Sequence, residues 1–231
     1  MELFKSDEVL KSEDEKNSLT SEKETQKKLE ALLFIRDLAI QLGLSQSCVA
    51  TAQVYFHKFA VTNSIGKFDS LHLAGACIFL AAKALEQPKH LENVCRRFYV
   101  LRSTIQTSLN PRLQVPPLSD SMLRRLAKNI EFYEFWLLNE IGFNFEIPLP
   151  YPYIHNFIFP LNISPQTRKN VLRYACNFAN DCFRTTLALQ KSAENIAEAC
   201  IFLAVKFLQL EMPVPADQDT VAIIRDLYRH S

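Results

Sequence analysis

Glycine is scarce in this chain: only Gly43, Gly66, Gly75 and Gly142 occur in 231 residues, where ordinary usage near 7% would give about 16. Phosphate cradles need clustered glycines so that the backbone can approach an anion. Neither G-x-G-x-x-G nor a G-K-[ST] loop is present, which excludes most nucleotide-binding enzymes. An excess of one charge is also missing, with 26 Lys plus Arg against 25 Asp plus Glu. No long-range field gathers nucleic acid or an anionic membrane, so direct nucleic-acid binding is not expected. The longest apolar runs, such as Leu73 to Ala82, are near ten residues, well below the 18 or more of a membrane span.

Metal chemistry lacks a basis too. The six cysteines at 48, 77, 95, 176, 182 and 200 form no C-x-x-C, and no histidine pair has helical ligand spacing. They read as buried apolar thiols in a reducing compartment. Met1 to Leu10 has neither the cationic start nor the apolar stretch of a secretory signal. His57, His72, His90 and His155 are scattered, and no serine or cysteine stands in a nucleophile setting. No catalytic constellation, cofactor or metal site is expected.

What is present is helical periodicity. Residues 1–28 hold six lysines and eight acids with few apolar side chains, and read as a flexible polar tail. From Leu29 an apolar stripe at helical spacing predicts a helix to 42, stopped by Gly43. Further helices are expected over 45–60, from Ser70 to before Pro88, over 91–107 and over 121–140. The run Leu73 to Ala82 is apolar on every side and marks a helix at the centre of a bundle. Three prolines in Ile147 to Pro152 predict a stiff extended linker and a domain boundary. Helices are expected again over 153–159, 166–183, 192–210 and 220–229, and strand signals are nearly absent.

The two halves repeat each other. Leu73-Ala-Gly-Ala-Cys-Ile-Phe-Leu-Ala-Ala-Lys83 and Ile196-Ala-Glu-Ala-Cys-Ile-Phe-Leu-Ala-Val-Lys206 agree at 8 of 11 positions, offset by 123. The same offset lays 45–60 on 168–183, matching Val49 with Leu172, Ala52 with Ala175 and Tyr55 with Phe178. Two copies of one helical domain are implied.

Lys83 closes an otherwise apolar helix, so its ammonium either snorkels to water or meets a carboxylate. Glu134 is equally out of place within Phe132-Tyr-Glu-Phe-Trp-Leu-Leu-Asn-Glu-Ile-Gly-Phe143. Two misfits of opposite charge invite one pair.

Leu80-Ala-Ala-Lys83, the following Glu86-Gln-Pro88, and Glu134 nine residues before Phe143 together resemble the cyclin box of the cyclin family. The resemblance spans about residues 29–229. It implies an all-α chain of two tandem five-helix cyclin-box domains, 29–147 binding a cyclin-dependent kinase and 148–231 forming a second, abridged box. Carried residue by residue, it places kinase contacts on Lys83, Ala84, Glu134, Leu138, Phe143 and Phe145. Ala84 stands where many members have a larger residue. The second repeat keeps Lys206, while the counterpart of Glu134 falls past Ser231.

Val54-Tyr-Phe-His-Lys-Phe59 and Phe178 to Gln190 are most similar to the transcription-associated branch, cyclin K above all, with cyclins T, L and Q close. This implies a non-enzymatic activating subunit of a transcriptional cyclin-dependent kinase, with the RNA polymerase II tail as indirect substrate and nuclear residence. Those relatives carry a tryptophan-bearing segment where Pro215-Ala-Asp-Gln leads straight to Val221. A general transcription factor of the TFIIB type, with tandem folds of the same kind, would need a basic stripe and a cysteine cluster that are missing here. A scaffold that activates nothing is the other alternative. Arg96, Arg97 and Arg102, and Arg124, Arg125 and Lys128, are two basic groups that ordinary solvated helix faces explain.

Overall fold

The structure is a computed structural model, and it describes residues 18–211 and 216–228, with side chains from residue 22. Contacts between backbones divide it after Phe145 into two compact units. All regular structure among the described residues is helical.

The first unit holds α1 (Ser18–Gln41), α2 (Gln46–Thr62), a 3-10 turn (Ile65–Lys67), α3 (Ser70–Ala84), α4 (Leu91–Leu109) and α5 (Asp120–Glu140). The run from Leu73 onward does occupy the centre: α3 buries Leu73 to Ile78 and Leu80 to Ala82, and packs against the other four helices. Gly75 is the reason it can lie so close to them. A Cβ there would stand 3.1 Å from Phe98 of α4 and 3.4 Å from Ile130 of α5. Three helices start with side-chain caps, in which Ser45, Asp69 and Ser119 accept backbone N–H bonds that the first turn leaves unpaired.

One expectation needs correcting here. The predicted tail over 1–28 is helical from Ser18, so α1 begins eleven residues before Leu29. Its polar first turns suit a helix, since Glu, Lys and Gln are good helix formers. Tertiary contact holds them, because Glu24 is only 3% exposed and accepts from Ser64 Oγ at 2.9 Å and Gly66 N at 2.6 Å. Residues 1–17 lie outside the described residues.

The second unit holds α6 (Pro150–Ile158), α7 (Pro165–Cys182), the single turn α8 (Leu187–Gln190), α9 (Ala193–Phe207) and α10 (Gln218–Asp226). The expected linker over 147–152 is also corrected, because α6 starts inside it. Pro150 and Pro152 sit in a first turn whose N–H groups would be unpaired anyway, so their missing donors cost nothing. The turn α8 had no periodic signal of its own.

The duplication extends to the ends of the helices. The limits of α9 are those of α3 plus 123. Both helices end on a non-glycine residue in the left-handed region, Glu86 at φ 55° and Gln209 at φ 54°. In each the next N–H reaches back five residues, Gln87 to Ala82 O at 2.8 Å and Leu210 to Val205 O at 3.0 Å. This is a paired Schellman ending. The copies differ in what surrounds them, for among the described residues α9 packs mainly against α6, α7 and α10, while α3 packs against α1, α2, α4 and α5. The position of Gly75 is taken by Glu198, half-exposed at a cleft between α6 and α9.

All six cysteines are free thiols and five are buried. Burial pushes Cys48 up to about 12, against a lowering influence from Lys89. It pushes Cys95 to about 11, helped by Glu131, and raises Cys77 further still. A thiol held this far above neutrality has almost no thiolate to react. Ellman's reagent at pH 8 is therefore expected to find less than one fast thiol in the folded chain and six in guanidinium. Two or more fast thiols would contradict this burial.

Candidate functional site

The ends of α3 and α5 in the first unit build the site. Ile130, Glu134 and Leu137 fall on one buried stripe of α5, so the helix that anchors the core also carries a carboxylate inward. Trp136 holds α5 in register. Its ring packs edge-on against Phe68 at 4.9 Å and against Phe59 of α2 at 5.9 Å.

Glu134 is 8% exposed, and its Oε1 forms an ion pair with Lys83 Nζ. The Lys83 side chain is 42% exposed, and its ammonium lies 4.2 Å from the centre of the Phe79 ring. The two readings of Lys83 are thus both realised: the stem runs toward water and the head meets a carboxylate. An ammonium between an aromatic face and a carboxylate is held in place while one side stays open to a partner.

Ala84 follows on the last turn of α3 and is half-buried, as is Leu138 on α5. Beyond α5 the chain turns sharply through two left-handed residues, Gly142 at φ 59° and Phe143 at φ 54°. The Gly142 N–H bonds Asn139 O and the Phe143 N–H bonds Leu138 O, both at 3.1 Å. A phenylalanine in that conformation carries a strain cost of roughly 1–2 kcal/mol, and its ring is 60% exposed. Phe145 is held through its carbonyl, which accepts from the buried Tyr55 hydroxyl at 2.9 Å. Burial keeps that hydroxyl protonated by raising its pKa, with smaller contributions from Cys77 and Cys48.

The structure therefore joins Lys83 to Glu134 and sets Leu138, Phe143 and Phe145 at the same end of α5. Three neighbours went unnoticed in the sequence: Phe79 beneath the lysine, and Phe132 and Phe135 on the outer face of α5. Phe135 is 68% exposed. The signal was available, since 132, 135 and 138 form a second apolar stripe out of phase with 130, 134 and 137. The second unit repeats only part of this. Lys206 lies 5.6 Å from the Phe202 ring, as Lys83 lies over Phe79, but among the described residues it has no carboxylate partner. No group of three metal-ligating side chains occurs among the described residues, and no described helix is long and apolar enough to cross a membrane.

Comparison with known proteins bears on this geometry. The family pattern described as "Cyclin, N-terminal domain" matches residues 1–144. Cyclin-L1 of Xenopus laevis is 32% identical over 183 residues, covering 78% of this chain and 35% of that protein. Cyclin-T1-2 of Oryza sativa subsp. japonica is 32% identical over 181 residues, covering 78% and 28%. Cyclin-L2 of Homo sapiens is 30% identical over 197 residues, covering 85% and 37%. The chain thus spans about a third of the length of the curated relatives it matches. Among solved structures, the yeast RNA Pol II CTD kinase CTDK-1 complex contains a chain that superposes with a TM-score of 0.79 at 17% identity, covering 99% of this chain and 73% of that one. A chain of the yeast TFIIK complex superposes with a TM-score of 0.69 at 16% identity, covering 98% and 94%. At these identities the likeness to the solved structures is one of fold.

Proposed function

The chain belongs to the cyclin family, and on that premise we propose that it is the regulatory subunit of a transcriptional cyclin-dependent kinase. Residues 29–147 form the kinase-binding box in this reading, and 148–231 a second, shorter one. The observation that carries it is the Lys83–Glu134 ion pair, half-open to solvent, on a helix that also carries exposed Phe135 and leads into exposed Phe143 and Phe145. A charged pair inside an apolar rim has the composition of an interface centre, with aromatic anchors around a desolvated polar contact.

The proposed contacts are Lys83, Ala84, Glu134, Leu138, Phe143 and Phe145, extended by Phe132 and Phe135. This chain adds no reacting group to phosphoryl transfer. It acts by binding the active arrangement of the kinase more tightly than the inactive one, which moves the population toward activity. The relatives of cyclin L and cyclin T type, and a neighbour titled as an RNA Pol II CTD kinase, support the polymerase tail as the substrate of the assembled kinase. Nuclear residence follows from that substrate.

The test is co-expression of the tagged chain with each transcriptional cyclin-dependent kinase in turn, followed by purification and assay on a polymerase-tail peptide. One kinase is expected to co-purify and to phosphorylate the peptide at least tenfold faster than alone. Capture of polymerase or of DNA-bound factors, with no kinase, would overturn the proposal.

A further inference from the structure

Residues 91–130 carry seven basic residues and two acids, Glu92 and Asp120, in a chain whose net charge is +1. Glu92 is already paired with Arg96 at 2.7 Å. Two of the other cations, Arg102 of α4 and Arg125 of α5, line one open cleft of about 490 Å³ whose outer wall is the irregular segment 113–116. In sequence they are 23 residues apart and belong to separate basic groups; the packing of α4 on α5 brings them to one place.

Phe98, Met122 and Leu126 give the lining an apolar part, and Phe98 and Leu126 are buried, so we take these three as its floor. Asp69 is the one acid in the lining, and its valences are taken. Oδ1 accepts from the N–H groups of Leu71 and His72, and Oδ2 pairs with His72 Nδ1 at 2.7 Å. Burial pushes its carboxyl up, but the His72 contacts and the field of Arg102 outweigh this and hold it at about 2. Among the described residues neither Arg102 nor Arg125 stands within ion-pair distance of a carboxylate. The cleft thus carries two guanidinium groups against one carboxylate, which His72 already engages.

We infer that this cleft docks a phosphorylated peptide, with Arg102 and Arg125 taking the phosphate of a phosphoserine or phosphothreonine and the Phe98–Met122–Leu126 floor taking a neighbouring apolar side chain. Guanidinium groups bind phosphate oxygens in a bidentate fork, and a phosphate of charge about −1.5 to −2 matches two of them better than a single carboxylate does. The volume fits a few peptide residues and lies in the usual range of ligand clefts. A nucleic-acid backbone wants cations in a row along successive phosphates, whereas here two converge on one cleft with an apolar floor. Asp69, which caps the start of α3, and Lys83 in its last turn are 14 residues apart, about 20 Å at the rise of a helix. The two arginines can therefore take a ligand without touching Lys83, and the inference does not depend on kinase binding.

The experiment uses the full chain on beads, offered a pool of nonapeptides with phosphoserine fixed at the centre and random neighbours. Parallel samples receive the same pool with serine, and a random single-stranded RNA of twelve nucleotides. The phosphoserine pool is expected to be retained at least tenfold over the serine pool, with apolar residues enriched beside the phosphate. Arg102→Gln with Arg125→Gln is expected to lower retention by about tenfold to a hundredfold, the loss of charge-assisted hydrogen bonds. Met122→Glu, which leaves both arginines in place, is expected to lower it as well, and circular dichroism confirms that each variant is folded. Equal retention of the two peptide pools, retention unchanged in the arginine variant, or RNA held better than phosphopeptide would each overturn the inference.

Discussion

Lys83→Ala is expected to remove kinase capture while leaving the chain folded. In the free chain the lysine side chain is 42% exposed but Glu134 is 8% exposed, so the loss leaves a buried carboxylate unpaired and costs the fold about 1–3 kcal/mol, short of a typical stability of about 5–15 kcal/mol. Under a partner the same pair is desolvated, and removing one member leaves the other charge buried without a counterion. That penalty is about 2–5 kcal/mol at an interface, or roughly thirtyfold to several thousandfold in Kd. Glu134→Ala is expected to give the same loss. Phe143→Ala adds a second test, because its ring touches mainly solvent in the free chain and its truncation leaves thermal stability nearly unchanged. Lys206→Ala serves as the control, since the second copy of the lysine lacks the carboxylate and should capture kinase as the parent does. The measurement is the Kd of each purified variant for the kinase, read beside its melting curve. Lys83→Ala and Phe143→Ala binding as tightly as the parent would remove this face from the proposed interface.

Gly75→Glu, which writes the residue of the second copy into the first, is expected to unfold the first unit. The Cβ alone would meet Phe98 at 3.1 Å and Ile130 at 3.4 Å, both core side chains held by their own helices. A full glutamate would overpack that contact and bury a carboxylate without a partner, which together cost about 4 kcal/mol or more. Against a typical stability of 5–15 kcal/mol such a loss is severe. Gly75→Ala, a single methyl at a tight contact, is expected to cost about 1 kcal/mol. The reciprocal change Glu198→Gly should be mild, near the roughly 1 kcal/mol of a glycine inside a helix, because Glu198 faces an open cleft. Chemical denaturation of the three variants checks the order. Equal midpoints for Gly75→Glu and Glu198→Gly would show that the two copies are not packed differently at this position.

The same pair of residues shows how far the chain could be read before its structure. An offset of 123 was visible as identity, and it is obeyed to the residue by the limits of α3 and α9 and by their left-handed endings. Such local features are legible because periodicity, capping and helix endings depend on residues a few positions apart. Lys83 and Glu134 were legible for a related reason, since a charge inside an apolar helical run is an anomaly of composition. The Gly75-to-Glu198 difference was visible as a mismatch but carried no meaning, because it depends on α4 and α5 lying close against α3 at Gly75 and on α6 leaving an open cleft beside Glu198.

The remaining gaps have the same origin. Burial of Glu24 comes from Ser64 and Gly66, about forty residues away, so residues 18–28 of the stretch read as a tail belong to a helix in contact with the body. Pro150 and Pro152 break helices in general, but only position within the first turn decides whether a missing donor matters. Phe132 and Phe135 lie outward because Trp136 and Glu134 claim the inward phase. Arg102 and Arg125 belonged to two ordinary basic clusters until α4 and α5 closed on one cleft. Helices, their repetition and the misplaced charges were thus settled by the order of amino acids, through interactions a few residues long. Which faces stay open, and which distant side chains share a site, was settled by packing between helices, where the contacts join residues that the chain itself keeps far apart.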